Sequence, residues 1–326
     1  MRFSRFGVFI LLLLTVFLGS NCGWYNRVIA RKNLVDGSKA YKDRKFPEAE
    51  ALFRAAVARD PKGEYVEGKT AQLFLARTLH SEFIGDRQKK ELAQAAITEY
   101  QKSLALDPND QSSYKAIASL YENLQMTDQW LDWVTKRSQN TTIPPEQRAE
   151  ALTSLAAKKN TCANDITDTE QTKKTITGKD GKQVFQFTKP AKPEDYETLK
   201  KCIDEGTQLI DQAVALETPE VKNAKSFDIK GAKDPDLKKK LDFLKVFESA
   251  RSYKTSLLNQ SMRLAEMDGK TADKDRFKQD YEGAKASFLE LSDVVKGIQK
   301  EIDDRVAAAE AKDKDANKSS ANSGAK

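Results

Sequence analysis

The sequence predicts an all-α fold built from helical hairpins, and three observations indicate it. Apolar residues recur at offsets of three, four and seven, which is the spacing of one face of an α-helix. The 326 residues include only 15 glycines and 9 prolines, too few for a strand-rich or broadly disordered chain. The helical patterns also come in pairs separated by short polar breaks. The chain is therefore expected to fold as a series of paired helices that stack on one another.

The stretch from Leu34 to Pro61 shows the repeating unit most clearly. Its two predicted helices carry small and aromatic residues at helical spacing, namely Leu34, Gly37, Ala40 and Tyr41, then Phe46, Ala49, Phe53, Ala56 and Val57. Small residues let two backbones approach closely, and Pro61 ends the unit because proline cannot continue a helix. One pair of this size cannot bury its apolar faces, so further copies are expected beside it.

This arrangement resembles a tetratricopeptide (TPR) repeat, a helix–turn–helix unit of about 34 residues. The family's small, aromatic and proline positions are matched by Gly37, Ala49, Phe53, Ala56 and Pro61. The aromatic of the family's first helix appears one place late, as Tyr41. The resemblance implies a scaffold whose concave groove binds peptides or partner proteins, and it does not identify the partner.

Four to five such pairs are expected along the chain. The predicted segments are a signal peptide or membrane anchor at 1–22, repeats one to three with the first helix of repeat four at 30–162, a lysine-rich insertion at 163–193, the second helix of repeat four at 194–220, a linker at 221–240, a C-terminal helical pair at 241–300 and a disordered tail at 307–326. The insertion alternates apolar and polar residues around a glycine-containing turn. The expected fold class is an all-α, TPR-like helical-hairpin solenoid, with a short β-hairpin-like or loop insertion in the fourth repeat.

The amino terminus has the features of an export signal. Arg2 and Arg5 precede an apolar run at 6–18, which is shorter than the roughly 20 residues that a membrane span needs. The following residues, 19–22, resemble the lipobox of bacterial lipoproteins, which implies lipidation of Cys22, although Asn21 departs from the usual small residue. An uncleaved anchor extending through Trp24 and a cleaved secreted form remain open. The expected location is the bacterial cell envelope, with the soluble part on the extracytoplasmic side.

Two cysteines remain if Cys22 is lipidated, and they form a disulfide candidate. Cys162 and Cys202 fall in the two helices assigned to repeat four, and a bridge between them would close a loop of about 40 residues. The alternative is two buried, unconnected cysteines that act as small hydrophobic residues.

The TPR resemblance also implies which residues line the concave groove. They lie on the first helices of repeats one to three: Leu34, Ser38, Tyr41, Leu73, Arg77, His80, Lys115, Ser119 and Glu122. The clamp that some TPR proteins use for chaperone carboxylates is not expected, because Leu34 and Ser38 replace its lysine and asparagine and Ser119 replaces the asparagine in repeat three. His80 is expected to be a surface or groove residue, since no cysteine, carboxylate or second histidine lies three or four residues away.

Lysine is concentrated in two stretches, although the whole chain has a net charge of only +6. The candidate basic loops contain Lys173, Lys174, Lys179, Lys182, Lys238, Lys239 and Lys240. They are interpreted either as solvated loops or as contacts to an anionic membrane surface or polymer. Nucleic acid is not an expected partner, because arginine is absent from both stretches and aromatic residues are few.

The sequence contains no motif of catalysis or cofactor binding. It lacks a P-loop, a dinucleotide-binding glycine pattern, a nucleophile elbow and a cysteine–histidine cluster with metal spacing. No catalytic residue, metal or cofactor is therefore predicted. The predicted function is a membrane-anchored, non-catalytic scaffold that binds peptides or proteins in its groove, with cell-envelope assembly suggested by analogy alone. The alternative is a signal-anchored TPR protein whose lysine-rich loops bind an anionic membrane surface or polymer.

Overall fold

The described part of the chain is almost entirely helical, in agreement with the predicted fold class. The computed structural model describes the backbone of residues 22–178 and 180–323, and the side chains of 23–178 and 180–312. The predicted signal segment at 1–21, the side chain of Cys22, and Lys179 lie outside these residues. The elements are α1 (Cys22–Lys42), α2 (Phe46–Arg59), α3 (Val66–Gly85), α4 (Lys90–Leu106), α5 (Gln111–Asn123), α6 (Thr127–Gln139), α7 (Pro145–Thr167), β1 (Lys173–Thr177), β2 (Gln183–Phe187), α8 (Pro193–Ala215), α9 (Pro219–Lys222), α10 (Asp234–Met267) and α11 (Thr271–Ser323).

The chain divides into two compact units, and the division falls inside α6. Unit 1 is Met1–Trp130 and unit 2 is Leu131–Lys326. The block predicted at 30–162 is therefore not one continuous body, since its last part belongs to unit 2. None of the helices between residues 22 and 323 combines the length and the hydropathy that a transmembrane span requires.

Unit 1 consists of helical hairpins that pack on their sequence neighbours. Helix α1 packs on α2, α2 on α3, α3 on α4, and α4 on α5. The first turn between paired helices is tight because Arg44 adopts a left-handed conformation with φ of 58°, and the N–H of Lys45 returns to the carbonyl of Ala40. The core contains the small and aromatic residues expected from the repeat pattern: Ala49, Phe53, Ala56, Ala71, Leu75, Ala96 and Tyr100 are buried.

Gly37 permits the closest approach inside the first hairpin. A Cβ atom at this position would lie 2.8 Å from Cε1 of Phe53, a distance that carbon atoms do not tolerate. Phe53 is fully buried, so its ring has no free space into which it could move. The small residue and the aromatic residue of the repeat pattern therefore depend on each other.

Unit 2 is organised around the long helix α10. This helix packs against α7, α8 and α11, while α7 and α8 also pack on each other. Its stripe of Leu237, Leu241, Leu244, Phe247, Ala250 and Leu257 is buried in a core shared with all three helices. Steps of three and four residues keep this stripe on one face, as expected for an amphipathic helix.

The insertion between α7 and α8 is a two-stranded antiparallel hairpin, so the β-hairpin interpretation is confirmed. Its register pairs Lys173 with Phe187 and Ile176 with Val184. The turn uses Gly181 at a positive φ of 78°, a conformation that favours glycine.

Two predicted segments differ from the structure. The expected linker at 221–240 is short, because α10 already begins at Asp234, where Pro235 and two acidic residues favour the first turn of a helix. Lys238, Lys239 and Lys240 therefore lie on a helix and not in a loop. The tail expected to be disordered from residue 307 is helical through Ser323, because its alanine, lysine and glutamate residues are good helix formers.

Candidate functional site

The predicted groove residues all lie in unit 1, on α1, α3 and α5. Those on α1 and α3 are partly exposed, whereas Lys115, Ser119 and Glu122 on α5 are exposed. Each is therefore accessible to some degree, as a binding surface requires. The structure brings two of them, Tyr41 on α1 and Arg77 on α3, into a common network through Phe74 and Ser81, which the sequence did not single out.

A chain of hydrogen bonds links α1 to α3 through Tyr41. The Tyr41 hydroxyl lies 3.0 Å from the Oγ atom of Ser81, and Ser81 donates to the backbone carbonyl of Arg77 over 2.8 Å. Because a serine hydroxyl has a single proton, Tyr41 must be the donor to Ser81. The tyrosine oxygen thus keeps its lone pairs available to an incoming donor.

An aromatic contact fixes the same region. The ring of Phe74 lies 5.9 Å from the ring of Tyr41 at an angle of 86°, an edge-to-face arrangement. The guanidinium carbon of Arg77 lies 5.3 Å from the centre of the Phe74 ring. Phe74 and Ser81 flank Arg77 at three and four residues, so helical spacing alone would have placed them on this face.

Arg77 carries a charge that no described carboxylate neutralises. It donates one hydrogen bond of 3.1 Å to the hydroxyl of Ser112 and is held over Phe74. Ser112 is itself fixed by the N-terminal cap of α5, since it donates to the carboxylate of Asp110. A guanidinium has five N–H donors, so most of those on Arg77 remain available to an anionic or carbonyl group.

His80 is paired with Tyr100. Its Nδ1 atom lies 3.4 Å from the Tyr100 hydroxyl. Burial lowers the pKa of His80, and the nearby charge of Arg87 lowers it further, so the imidazole is neutral at neutral pH. Burial raises the pKa of Tyr100, so this group also stays uncharged. The pair therefore offers polar contacts without charge.

The C-terminal end of α5 is held by Arg87, which lies in the connection that follows α3. Asn123 donates to the carbonyl of Ser119 over 2.8 Å and accepts a hydrogen bond of 2.6 Å from Arg87. Arg87 also lies over the ring of Phe83. These contacts fix the C-terminal end of α5 to the end of α3.

A second concave feature of unit 1 lies between α2 and α4, and the sequence did not predict it. Its volume is about 470 Å³, and its lining includes Val57, Pro61, Leu75, Glu99, Lys102 and Leu106. Glu99 is buried and accepts hydrogen bonds of 2.7 Å from Gln72 and 2.9 Å from Lys102. The charge of Glu99 is thus already satisfied, which favours a structural role for this carboxylate.

Apart from Cys22, the remaining predicted site residues belong to unit 2. Cys162 and Cys202 are joined by a disulfide with 6.2 Å between their Cα atoms, so α7 and α8 are linked.

The predicted basic residues of unit 2 are partly paired with carboxylates. Lys173 pairs with Asp168, and Lys182 lies 3.5 Å from Asp180. Lys240 pairs with Glu220 over 2.8 Å, and Lys238 and Lys239 are exposed on α10. No group of three or more histidine, cysteine or acidic residues is placed to hold a metal ion within the described ranges.

A cluster around Asp268 holds the insertion against the end of α10. Asp268 accepts a hydrogen bond from Tyr196 and pairs with Lys189 over 2.9 Å and with Lys270 over 3.1 Å. Burial alone would raise the pKa of Asp268, but these hydrogen bonds outweigh it and hold the pKa well below its usual range. Burial and the bond to Asp268 raise the pKa of Tyr196 to about 12.

The depressed pKa of Asp268 makes unit 2 less stable in acid. Its stabilisation is fully present above the unfolded carboxyl pKa of about 4 and is lost as the pH falls through the lower folded value. Asp268→Asn is expected to reduce the free energy of unfolding by about 1.5–3 kcal/mol at neutral pH and by progressively less in acid. Urea unfolding at several pH values measures this. Asp242→Asn, an exposed change on α10, is the control, and a loss that stays constant from neutral pH into strong acid would contradict the assignment.

The chain matches no protein-family model and no curated protein. Similarity is found to several solved structures, and in two of them the match covers 82% of this chain and 98% of that chain. One is pilF of Pseudomonas aeruginosa, at 15% identity and a TM-score of 0.30. The other is a tetratricopeptide repeat protein from Parabacteroides merdae, at 10% identity and a TM-score of 0.31. These scores are too low to carry an argument about function, so the site is interpreted from its own geometry.

Proposed function

We propose that the protein is a non-catalytic scaffold that binds a peptide segment of a partner protein on the first-helix face of unit 1. The observation that carries this proposal is the accessible set of Tyr41, Phe74 and Arg77, in which polar and aromatic groups from two helices lie side by side. Such a combination binds extended peptides, because aromatic rings supply contact area and a guanidinium donates hydrogen bonds to carbonyl or carboxylate groups.

We also propose that the protein acts at the bacterial cell envelope, attached to a membrane by its N-terminal segment. The apolar run with the cysteine-containing motif at its end supports attachment. The disulfide between Cys162 and Cys202 supports an extracytoplasmic location, since disulfides persist in oxidising compartments and are rare in the cytosol. A role in envelope assembly remains the process suggested by analogy.

Charge reversal at Arg77 tests the proposed surface. Arg77→Glu is expected to reduce recovery of the physiological partner at least tenfold after crosslinking in cells and purification of the full chain. The variant removes the N–H donors of Arg77, and its carboxylate repels an anionic or carbonyl group of the partner. The partner is identified by mass spectrometry, and its binding to both purified forms is then measured directly by calorimetry.

Arg276→Glu is the control. Arg276 is exposed and lies 4.9 Å from the centre of an aromatic ring, that of Phe277, but unlike Arg77 it pairs with a carboxylate, Asp273, over 3.2 Å. This variant is expected to retain the partner. Circular dichroism must show that both variants are folded. Equal recovery of the partner by wild type and folded Arg77→Glu would exclude the first-helix face as the binding surface.

A further inference from the structure

In the described part of the β-hairpin of unit 2, the contacts with the rest of the unit lie at its base. Thr188 donates to the carbonyl of Thr172 over 2.9 Å, and the N–H of Phe187 donates to Glu266 on α10 over 3.2 Å. The ring of Phe187 packs against the small core around the disulfide. Beyond this base, the residues from Lys174 to Thr177 and from Gln183 to Gln186 are exposed.

The exposed end of the hairpin presents large apolar side chains on both faces. Ile176 and Val184 are opposite each other in the register and share one face, with 39% and 44% of their surface exposed. Phe185 lies on the other face, opposite Thr175, and is 58% exposed. Exposed apolar side chains concentrated in one place indicate a surface that a binding partner covers.

Cations surround this apolar tip. Lys174 is exposed, and none of the ion pairs among the described residues involves it. Lys182 has Asp180 at 3.5 Å, but the two side chains are 81% and 61% exposed, so the attraction between them is weak. Lys173 lies 4.4 Å from the centre of the Phe185 ring. The environment that suits this tip is therefore apolar and carries negative charge.

We propose that the hairpin tip enters the interfacial region of an anionic lipid bilayer. A protein surface would cover one face of a two-stranded ribbon, whereas lipid surrounds the tip and covers Ile176, Val184 and Phe185 together. Insertion stays shallow, because the unpaired edges of both strands require hydrogen-bonding partners that the hydrocarbon core lacks. Lys174 and Lys182 contact the phosphate groups. This contact is separate from the peptide-binding surface of unit 1.

Site-specific photocrosslinking in the full chain tests the proposal. The crosslinking residue p-benzoylphenylalanine replaces Phe185 in one form and Leu289, which is exposed on α11, in a control form. Both forms are reconstituted into vesicles of phosphatidylcholine with or without phosphatidylglycerol, so that the N-terminal segment is present in every sample. Adducts are identified by mass spectrometry after irradiation.

A lipid adduct at position 185, enhanced by phosphatidylglycerol and much weaker at position 289, is the expected result. Lys174→Glu combined with Lys182→Glu is expected to lower the yield at 185 roughly tenfold or more, since each lysine contributes to attraction by anionic lipid. Equal lipid adducts at both positions, an adduct to a second copy or another protein, or no adduct at 185 would each overturn the proposal.

Discussion

Phe53→Ala is expected to reduce the free energy of unfolding of unit 1 by about 3–5 kcal/mol, the typical effect of deleting a fully buried aromatic side chain. The ring of Phe53 has no exposed surface and lies against Gly37. It also lies 5.5 Å from the ring of Phe74, centre to centre. Because Gly37 has no side chain that could move into the cavity, the lost contacts cannot be replaced.

Denaturant unfolding followed by circular dichroism measures this change, with Ile84→Ala as the control. Ile84 is 53% exposed on α3, so its truncation is expected to change the stability by less than about 1 kcal/mol. A loss at Phe53 no larger than the loss at Ile84 would show that the ring is not packed as described. Because Phe74 contacts both Phe53 and Tyr41, Phe53→Ala is also expected to weaken the proposed peptide-binding surface.

Removing the disulfide of unit 2 is expected to reduce the stability of that unit by about 4 kcal/mol. The bridge joins residues 40 positions apart, and the loop-entropy relation gives this value for a closed loop of such length. The stabilisation comes mainly from restricting the unfolded chain, so the helices of the double variant Cys162→Ser with Cys202→Ser are expected to form with lower stability.

The measurement compares unfolding of the wild type with and without a reducing agent, and then of the double variant under both conditions. The reducing agent is expected to destabilise the wild type and to leave the double variant unchanged, which separates the bridge from any effect on Cys22. An unfolding midpoint of the wild type that does not respond to reduction would contradict the expected contribution of the bridge.

Helical periodicity predicted the hairpins of unit 1 because local spacing determines them. Gly37, Ala49 and Phe53 are buried as the repeat pattern implied, whereas the assignment of Arg77 and His80 to a binding groove stays a prediction. The pairing of Tyr41 with Ser81 was not predictable, because it depends on how far α1 rotates against α3. The disordered tail that composition predicted from residue 307 was wrong, because this stretch is helical through Ser323 although its sequence has few apolar residues to bury.

The cluster around Asp268 could not be predicted from sequence patterns, and the reason is a different one. Tyr196 and Lys189 are more than 70 positions away from Asp268, and no local motif connects them. Only the return of α10 along α8 brings their side chains together. The sequence could identify Asp268 as part of a helix-ending signal, but not as the acceptor of three hydrogen-bond donors.

The contacts of α10 have a consequence for the order in which the protein folds during synthesis. Each hairpin of unit 1 packs on helices that are adjacent in the chain, so this unit can form as it leaves the ribosome. The core of unit 2 needs α10 against α7 and α8, helices that are synthesised much earlier. The apolar surface of α7 and α8 that α10 covers stays exposed until α10 emerges, and exposed apolar surface of this kind makes a nascent chain prone to aggregate.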